Sequence, residues 1–586
     1  MIHISKYFIL LVVILLSSIS YAQRDTISTD KLIIIKPYSP TINDAFKIKQ
    51  KPSEKDTIKQ KRRPVSYSFI EVPVASTFTP AKGTASGVKM LPPKRLFENY
   101  ARLGAGNYST LVADFLTNFD INRARAVDIG FSHKSSQGGI DEVKLDNDYS
   151  DTSLDFKLTS KDRYLNWNTG LDVNHRELNY YGLSETISSN LTTDELNDIN
   201  PKQTYTQIAA FGEIEFLEGL LKHINLDLQH FSDDYSSSEQ FVALASTLNF
   251  PIGYQNLDVN TDIQFLNGGF ESSFYDANAI DYQQFMANLN PSFRLDYEFL
   301  NLKLGAKAVY FNDFENNSND IFFYSDVEAE FLFKENAIGV FLGINGGLEQ
   351  NSYENFSQNN PFVSPTLRIA PTDNKYNAFA GFSTKVLEKL SITAKANYLN
   401  ARDFSFFRAN PEFENLNSTA PKRDFDYQNS FDVVYNDLDI LSFSAEVLYQ
   451  IESDFSLGFK GTYSSFTIEE GQDAWNMPEL ELKAYANYSF INKWNFSTTV
   501  FYVGERIDAL QNVSVQTSGL PLTTGLFRST LDSYIDVNAS VEYAITPRLS
   551  AFVSAHNLLN NSYNRWQNFE VQGFQVLGGL VYQFDW

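Results

Sequence analysis

The stretch Val576 to Trp586 reads VLGGLVYQFDW, which puts Val576, Gly578, Leu580, Tyr582, Phe584 and Trp586 on one face of an extended chain. Successive side chains of a strand point to opposite faces, so this face is apolar and ends on aromatic rings. That pattern suits a strand of an outer-membrane β-barrel, whose outer face must be apolar while the lumen face can stay wet. Leu580, Tyr582, Phe584 and Trp586 are accordingly expected to form the carboxy-terminal signal for barrel assembly. The alternation recurs upstream. Ile224, Leu226 and Leu228 alternate with Asn225, Asp227 and Gln229, and Leu257, Val259, Thr261, Ile263 and Phe265 alternate with Asp258, Asn260, Asp262 and Gln264. A large soluble all-β protein does not easily place so many amides and carboxylates on the second face of so many strands.

At the other end, Lys6 precedes an apolar run from Tyr7 to Leu16, and Ser20-Tyr21-Ala22 offers small residues at the two positions a signal peptidase reads. Residues 1–22 are expected to be a secretory signal peptide, with a mature start near Gln23. No other stretch approaches the roughly 18 to 20 uninterrupted apolar residues of a membrane helix, so the chain crosses a bilayer as a barrel or not at all. The absence of cysteine removes disulfides, thiolate metal sites and a lipid-modified cysteine at the cleavage site.

Charge divides what remains. Residues 24–95 carry 15 Lys+Arg and 6 Asp+Glu, a balance of +9, whereas residues 96–586 carry 31 Lys+Arg and 65 Asp+Glu, a balance of −34. The basic part also holds Pro37, Pro40, Pro52, Pro64, Pro73, Pro80, Pro92 and Pro93, which interrupt helices and central strands alike. Residues 23–95 are read as a largely extended periplasmic tail. Its apolar anchors, Leu32, Ile33, Ile34 and Ile35, then Phe69, Ile70 and Val72, could bind a periplasmic or surface-lipoprotein partner by strand addition. Lys47 to Arg63 have an electrostatic reason to be drawn toward an acidic lumen, but residues 24–63, able to reach on the order of 130 Å extended, are expected to engage the periplasmic partner. Pro64 to Arg95 is the part best placed to cover it.

Residues 96–586 parse into strands at short turns near Asp120 to Arg123, Ser160 to Arg163, Leu217 to Lys222, Pro251 to Asn256, Leu300 to Asn301, Lys334 to Asn336, Leu387 to Lys389, Glu452 to Asp454, Ile491 to Lys493 and Thr546 to Arg548. Longer polar connections lie between them. With one strand starting near Asn99 and one ending at Trp586, the count is about 22, in an antiparallel up-and-down barrel with short turns on the periplasmic side. Ser364 to Pro371 and Phe431 to Tyr435 look strand-like and are assigned to upward extensions of hairpins within long loops. Phe and Tyr number 49 and 32, and many, such as Tyr164, Tyr398, Tyr449, Tyr463, Tyr488 and Trp494, fall at segment ends, as in an aromatic girdle. Among loop residues, Tyr180, Tyr181, Phe406 and Phe407 offer a track on which sugars could stack. On the inward face, Asp258, Asp262, Asp296, Glu298, Asp326, Glu328 and Glu330 outnumber Arg294, Lys303 and Lys307, which predicts a preference for cations.

The segment Ile535 to Trp586 resembles the last strands of TonB-dependent receptors. The resemblance rests on VNASVEY at Val537, TPRLS at Thr546, AHNLLNNSY at Ala555 and the final LGGLVYQF, with NPEF at Asn410 similar to a loop motif of that family. It implies a 22-stranded barrel, in agreement with the count. The family carries a folded plug between signal peptide and barrel, and the basic, proline-interrupted tail is too short for a comparable core. The chain therefore reads as a plugless relative. The Asp30-Lys31-Leu32-Ile33-Ile34-Ile35-Lys36 segment is read as an extended anchor in preference to a TonB-pairing motif.

Nothing in the sequence forms a catalytic set. His230 has Asp233 and Asp234 nearby and His133 has Ser132 and Ser135, but proximity of this kind lacks the acceptor and nucleophile geometry that catalysis needs. No nucleotide-binding fingerprint is present, and Asp233-Asp234, Glu469-Glu470 and Asp437 with Asp439 read as solvated acids. The expectation is a non-enzymatic barrel of the outer membrane without catalytic residues, cofactor, metal or nucleic-acid partner. It would contact outer-membrane lipids, lipopolysaccharide and the barrel assembly machinery. It would serve as a transport passage or as a barrel subunit of an outer-membrane complex, the alternatives being an accessory scaffold of an assembly or secretion machine and a passive cation-preferring porin.

Overall fold

The structure is a computed structural model that describes residues 97–585 apart from 276–277, 334–336, 413–421, 452–453, 469–472, 492 and 516–520. The signal peptide, the basic tail with both apolar anchors, and Trp586 lie outside the described residues. Twenty-two antiparallel strands form one closed ring. It closes where Asn99–Gly106 pairs with Gln575–Phe584, with Leu103 opposite Leu580. Closure removes both sheet edges, which a bilayer would otherwise leave with unmatched amides and carbonyls.

Alternation fixes which face looks out. Leu226, Leu244, Ile263, Leu304 and Phe323 are all exposed, and Asp227, Asp262, Lys303 and Asp326, of opposite parity on their strands, take the inner face. Large apolar side chains arrayed around a whole barrel are stable in lipid, not in water. Tyr164, Tyr463, Tyr488 and Trp494 are exposed on it, near strand ends as a girdle requires.

All ten expected short turns join neighbouring strands at one end of the barrel, from Asn122/Arg125 to Ala544/Leu549. Residues 334–336, 452–453 and 492 fall inside three of them, outside the described set. The other end departs from the expected rhythm. Connections at 107–110, 234–237 and 314–317 are as tight as the turns below. Tyr108, Ser109, Ser236 and Asn317 have φ between 50° and 62° there, the left-handed conformations that let a short hairpin match strand twist.

Phe431 to Tyr435 is the upper part of the strand Phe431–Ile451 and pairs with Ser405 to Ala409 beyond a bulge, as a hairpin extension. Ser364 to Pro371 is not a strand. Only Val363 bridges Phe431, and the rest is irregular backbone. Two further hairpins stand apart from the ring, Arg506–Val515 with Pro521–Leu531 and Asn564–Trp566 with Phe569–Glu570. The short helices Glu185–Asn190, Thr193–Asp198 and Tyr353–Asn359 sit in loops. No helix of the described residues is long and apolar enough to cross a membrane.

Candidate functional site: a lumen capped by its own loops

The connection 350–371 turns inward at the loop end of the barrel. Ser352 starts its helix by accepting a bond from the Asn355 amide, relieving one of the unpaired donors of a helix start. Tyr353 is fully buried and Glu239, on the wall strand Ser238–Ile252, is 1% exposed. The amides of Tyr353 and Glu354 donate to the two carboxylate oxygens of Glu239 at 2.8 and 3.2 Å, and the Tyr282 hydroxyl donates to it at 2.7 Å. The Tyr353 hydroxyl donates to Asp233 at 2.7 Å.

Irregular backbone buried in a barrel must find partners for its carbonyls, and side chains supply them. Tyr180 donates to the Val363 carbonyl at 2.7 Å, Tyr205 to Pro361 at 3.0 Å, Gln284 to Ile369 at 2.9 Å and Tyr435 to Arg368 at 3.0 Å. The bonds to Ile369 and Arg368 let Ser364 to Pro371 stay irregular without strand pairing.

The apolar half of the cap crosses the mouth. Tyr353, Phe356, Val363, Leu367 and Ile369 pack in one core with Leu178, Tyr205, Phe231, Leu266 and Phe270 of one wall and with Phe431, Val433, Trp566 and Phe569 from the far side. Phe362 stacks on Phe569 with ring centroids 3.8 Å apart. Arg423 ties in a further loop by donating to the carbonyls of Ser273 and Phe274 and to Asp426. The hairpin beginning at Arg506 is docked by Asp508, fully buried, which accepts from the amides of Ala409 and Ala509 at 3.0 and 2.7 Å and from the Asn476 side chain at 2.8 Å. Burial pushes the Asp508 carboxyl up to about 6. Tyr180 and Phe406 are wholly inside this cap, so the expected sugar-stacking track is internal packing. Tyr181 is held to the Glu570 carbonyl and Phe407 packs edge-on to Trp566.

Two cavities lie against the cap. One, of about 740 Å³, is bounded by Gln229, Gln264, Asn290, Lys303, Asp326 and Glu354, among other polar groups. The larger, about 910 Å³, reaches from Asp151 and Arg176 to Lys460 and Lys483 and is roofed by Phe362, Trp566 and Phe569.

Most of the expected lumen acids take the inner face. Asp326 pairs with Lys303 at 2.8 Å, and Asp258 lies 3.9 Å from Arg294 and accepts from Asn249 at 2.6 Å. Asp262 accepts from Gln264 at 2.5 Å and Glu330 from Asn301 at 3.2 Å, while Glu328 lines the smaller cavity. Asp296, opposite Asn301, sits at the turn end of its strand. Glu298 is a correction: it lies in the turn between Tyr297 and Leu300, outside the lumen, because the strand ends one residue earlier.

The acidity is also less uniform than expected. Strands from Tyr149 to Phe333 add Asp155, Asp172 and Asp227 to the inner face, but across the ring Lys395, Lys460 and Lys483 face inward, with Lys460 between Glu446 and Lys483 in register. The same alternation rule identifies these lysines, which stand opposite Ile392, Phe459 and Leu482 in parity on their own strands. His133 contacts Thr152 and Ser135 without a carboxylate, and His223 contacts Glu213. No group of three or more metal-ligating side chains gathers among the described residues.

Comparison with known proteins gives likeness of fold. The barrel superposes on the ferripyoverdine receptor of the Pseudomonas aeruginosa outer membrane with a TM-score of 0.62 and 14% identity, covering 84% of this chain and 72% of that one. The ferric-catecholate import receptor Fiu of E. coli K12 matches with 0.58 and 12%, covering 84% and 82%. The FrpB iron transporter of Neisseria meningitidis matches with 0.59 and 9%, again covering 84% and 82%. No protein-family model and no curated protein matches the sequence.

Proposed function

We propose that the chain is a non-enzymatic transport barrel of the outer membrane, of TonB-dependent-receptor type, held closed at rest by its own loops. The observation that carries this is the apolar core crossing the mouth of a 22-stranded ring. A ring of that size with an empty interior is a leak, and the cap spans its mouth. The short-turn end faces the periplasm and the capped end faces out, in the usual orientation of such barrels. The outer band meets lipid and lipopolysaccharide, and the carboxy-terminal strand serves the barrel assembly machinery. A passage is favoured over an inert scaffold because the wall below the cap is lined with amides and ionised groups around two cavities, a solute path that a scaffold does not need.

Planar-bilayer recording of the purified protein tests this. A silent protein that opens in discrete steps when a ligand or periplasmic partner is supplied supports a gated passage. Large constitutive conductance would make it a simple porin. A second reading, barrel subunit of an envelope assembly, is supported by the anchors Leu32 to Ile35 and Phe69 to Val74 in the tail; retention of a stoichiometric envelope protein in detergent, lost on deleting residues 24–63, would favour it.

A further inference from the structure

We propose that the basic segment Lys47 to Arg63 of this same chain docks inside the lumen, along the acidic arc of wall formed by the strands between Tyr149 and Phe270. On that arc Asp155 faces Asp172 on the adjacent strand, a pairing of like charges that an added cation would relieve. Asp227 and Asp262 lie on the same face, on strands separated by Ser238–Ile252. Among the described residues none of these four has an ion pair, whereas Asp151, Asp258 and Asp326 do. The buried side-chain oxygens of Gln264, Asn288 and Asn290 accept no hydrogen bond. Lys157 and Arg176 also lie on this arc, so it is acidic on balance and leaves these acceptors unmet. Lysine and arginine bring only donors.

The occupant is set by charge, reach and access. Residues 47–63 hold eight Lys+Arg against Glu54 and Asp56. They are joined to the first strand at Asn99, on the turn end, and the intervening residues, extended, span on the order of 100 Å, enough to enter the lumen and climb it. The loop end is occupied by the cap, so the turn end is the side from which the arc is reached. Tethering keeps the segment at about millimolar effective concentration, so weak contacts suffice. The opposite wall, with Lys395, Lys460 and Lys483, repels it and fixes which arc is used.

The native chain has no cysteine, which makes cross-linking clean. In otherwise full-length protein, Ser53→Cys is combined with Asn260→Cys on the acidic arc or with Ser444→Cys on the basic one, and a short bismaleimide is added. Expected is efficient linkage of the first pair at low salt, at least fivefold above the second, collapsing at molar salt. Asp227→Asn with Asp262→Asn should reduce it severalfold in protein that still shows a heat-modifiable barrel band. Equal linkage to both arcs, or linkage indifferent to salt, would overturn the proposal. The yield does not depend on whether the barrel conducts, so its failure leaves the transport reading standing, and silence of the pore leaves this one standing.

Discussion

Glu239 stands where the strand Ser238–Ile252 meets the cap, and its carboxylate gathers the Tyr353 and Glu354 amides and the Tyr282 hydroxyl. Removing it strands those donors in a dry site, at a general cost of about 1–3 kcal/mol for each unmatched group. Glu239→Ala should therefore loosen residues 353–369, seen as faster amide exchange there, while the barrel keeps its heat-modifiable migration. Unchanged exchange would mean that the apolar contacts alone hold the loop. Asp508 makes a pH-dependent contribution. Its folded-state pKa, about 6, is raised by burial above the usual carboxylate value of about 3.9, with Arg506 drawing it partly back down. The folded form thus holds its proton more tightly than the unfolded one. The stabilisation is complete below about pH 4 and is lost as pH rises through about 6. Amide exchange over residues 505–510, corrected for intrinsic rate, should be slower at pH 5 than at pH 7.5, and Asp508→Asn should remove the difference.

The loop 350–371 can be excised without touching the ring, because Glu349 and Thr372 are register partners in adjacent strands. Replacing it with a short Gly-Ser turn should leave a folded barrel that conducts in bilayers where the intact protein is silent. Continued silence would assign closure to the remaining loops. The strands and turns flanking this loop were legible in sequence because they depend on local signals, a period of two and turn-forming residues. The cap was not. Tyr180 and Val363, joined by a hydrogen bond, are 183 residues apart, and Asp508 reaches Ala409 across 99. Ser364 to Pro371 carries the composition of a strand, but Gln284 and Tyr435 bond the Ile369 and Arg368 carbonyls that a neighbouring strand would have engaged. The site was legible in part: alternation placed Asp258, Asp262, Asp326, Glu328 and Glu330 on the inner face and failed at Glu298, where a strand end decides.

For the whole molecule, the arrangement of charge around the ring matters more than its sum. Asp155, Asp172, Asp227 and Asp262 line one arc, and Lys395, Lys460 and Lys483 line strands roughly across the ring from it. At physiological salt the screening length is about 8 Å, short against the width of a lumen of this strand number, so a passing ion senses the nearer arc. Net selectivity is then a weighted contest. Acids outnumber lysines, which favours cations, but by less than the acidic strands alone imply. On a variant lacking both the loop 350–371 and residues 24–95, so that the wall alone is read, the reversal potential in a tenfold potassium chloride gradient should show modest cation preference. That preference should strengthen as both solutions are diluted. Lys395→Gln, Lys460→Gln and Lys483→Gln combined should increase it further, since the opposing arc then keeps only its acids, Glu446 among them. Anion selectivity in the parent variant would refute the assignment of the acidic arc to the conducting path, and indifference to the three lysine substitutions would remove the basic arc from it.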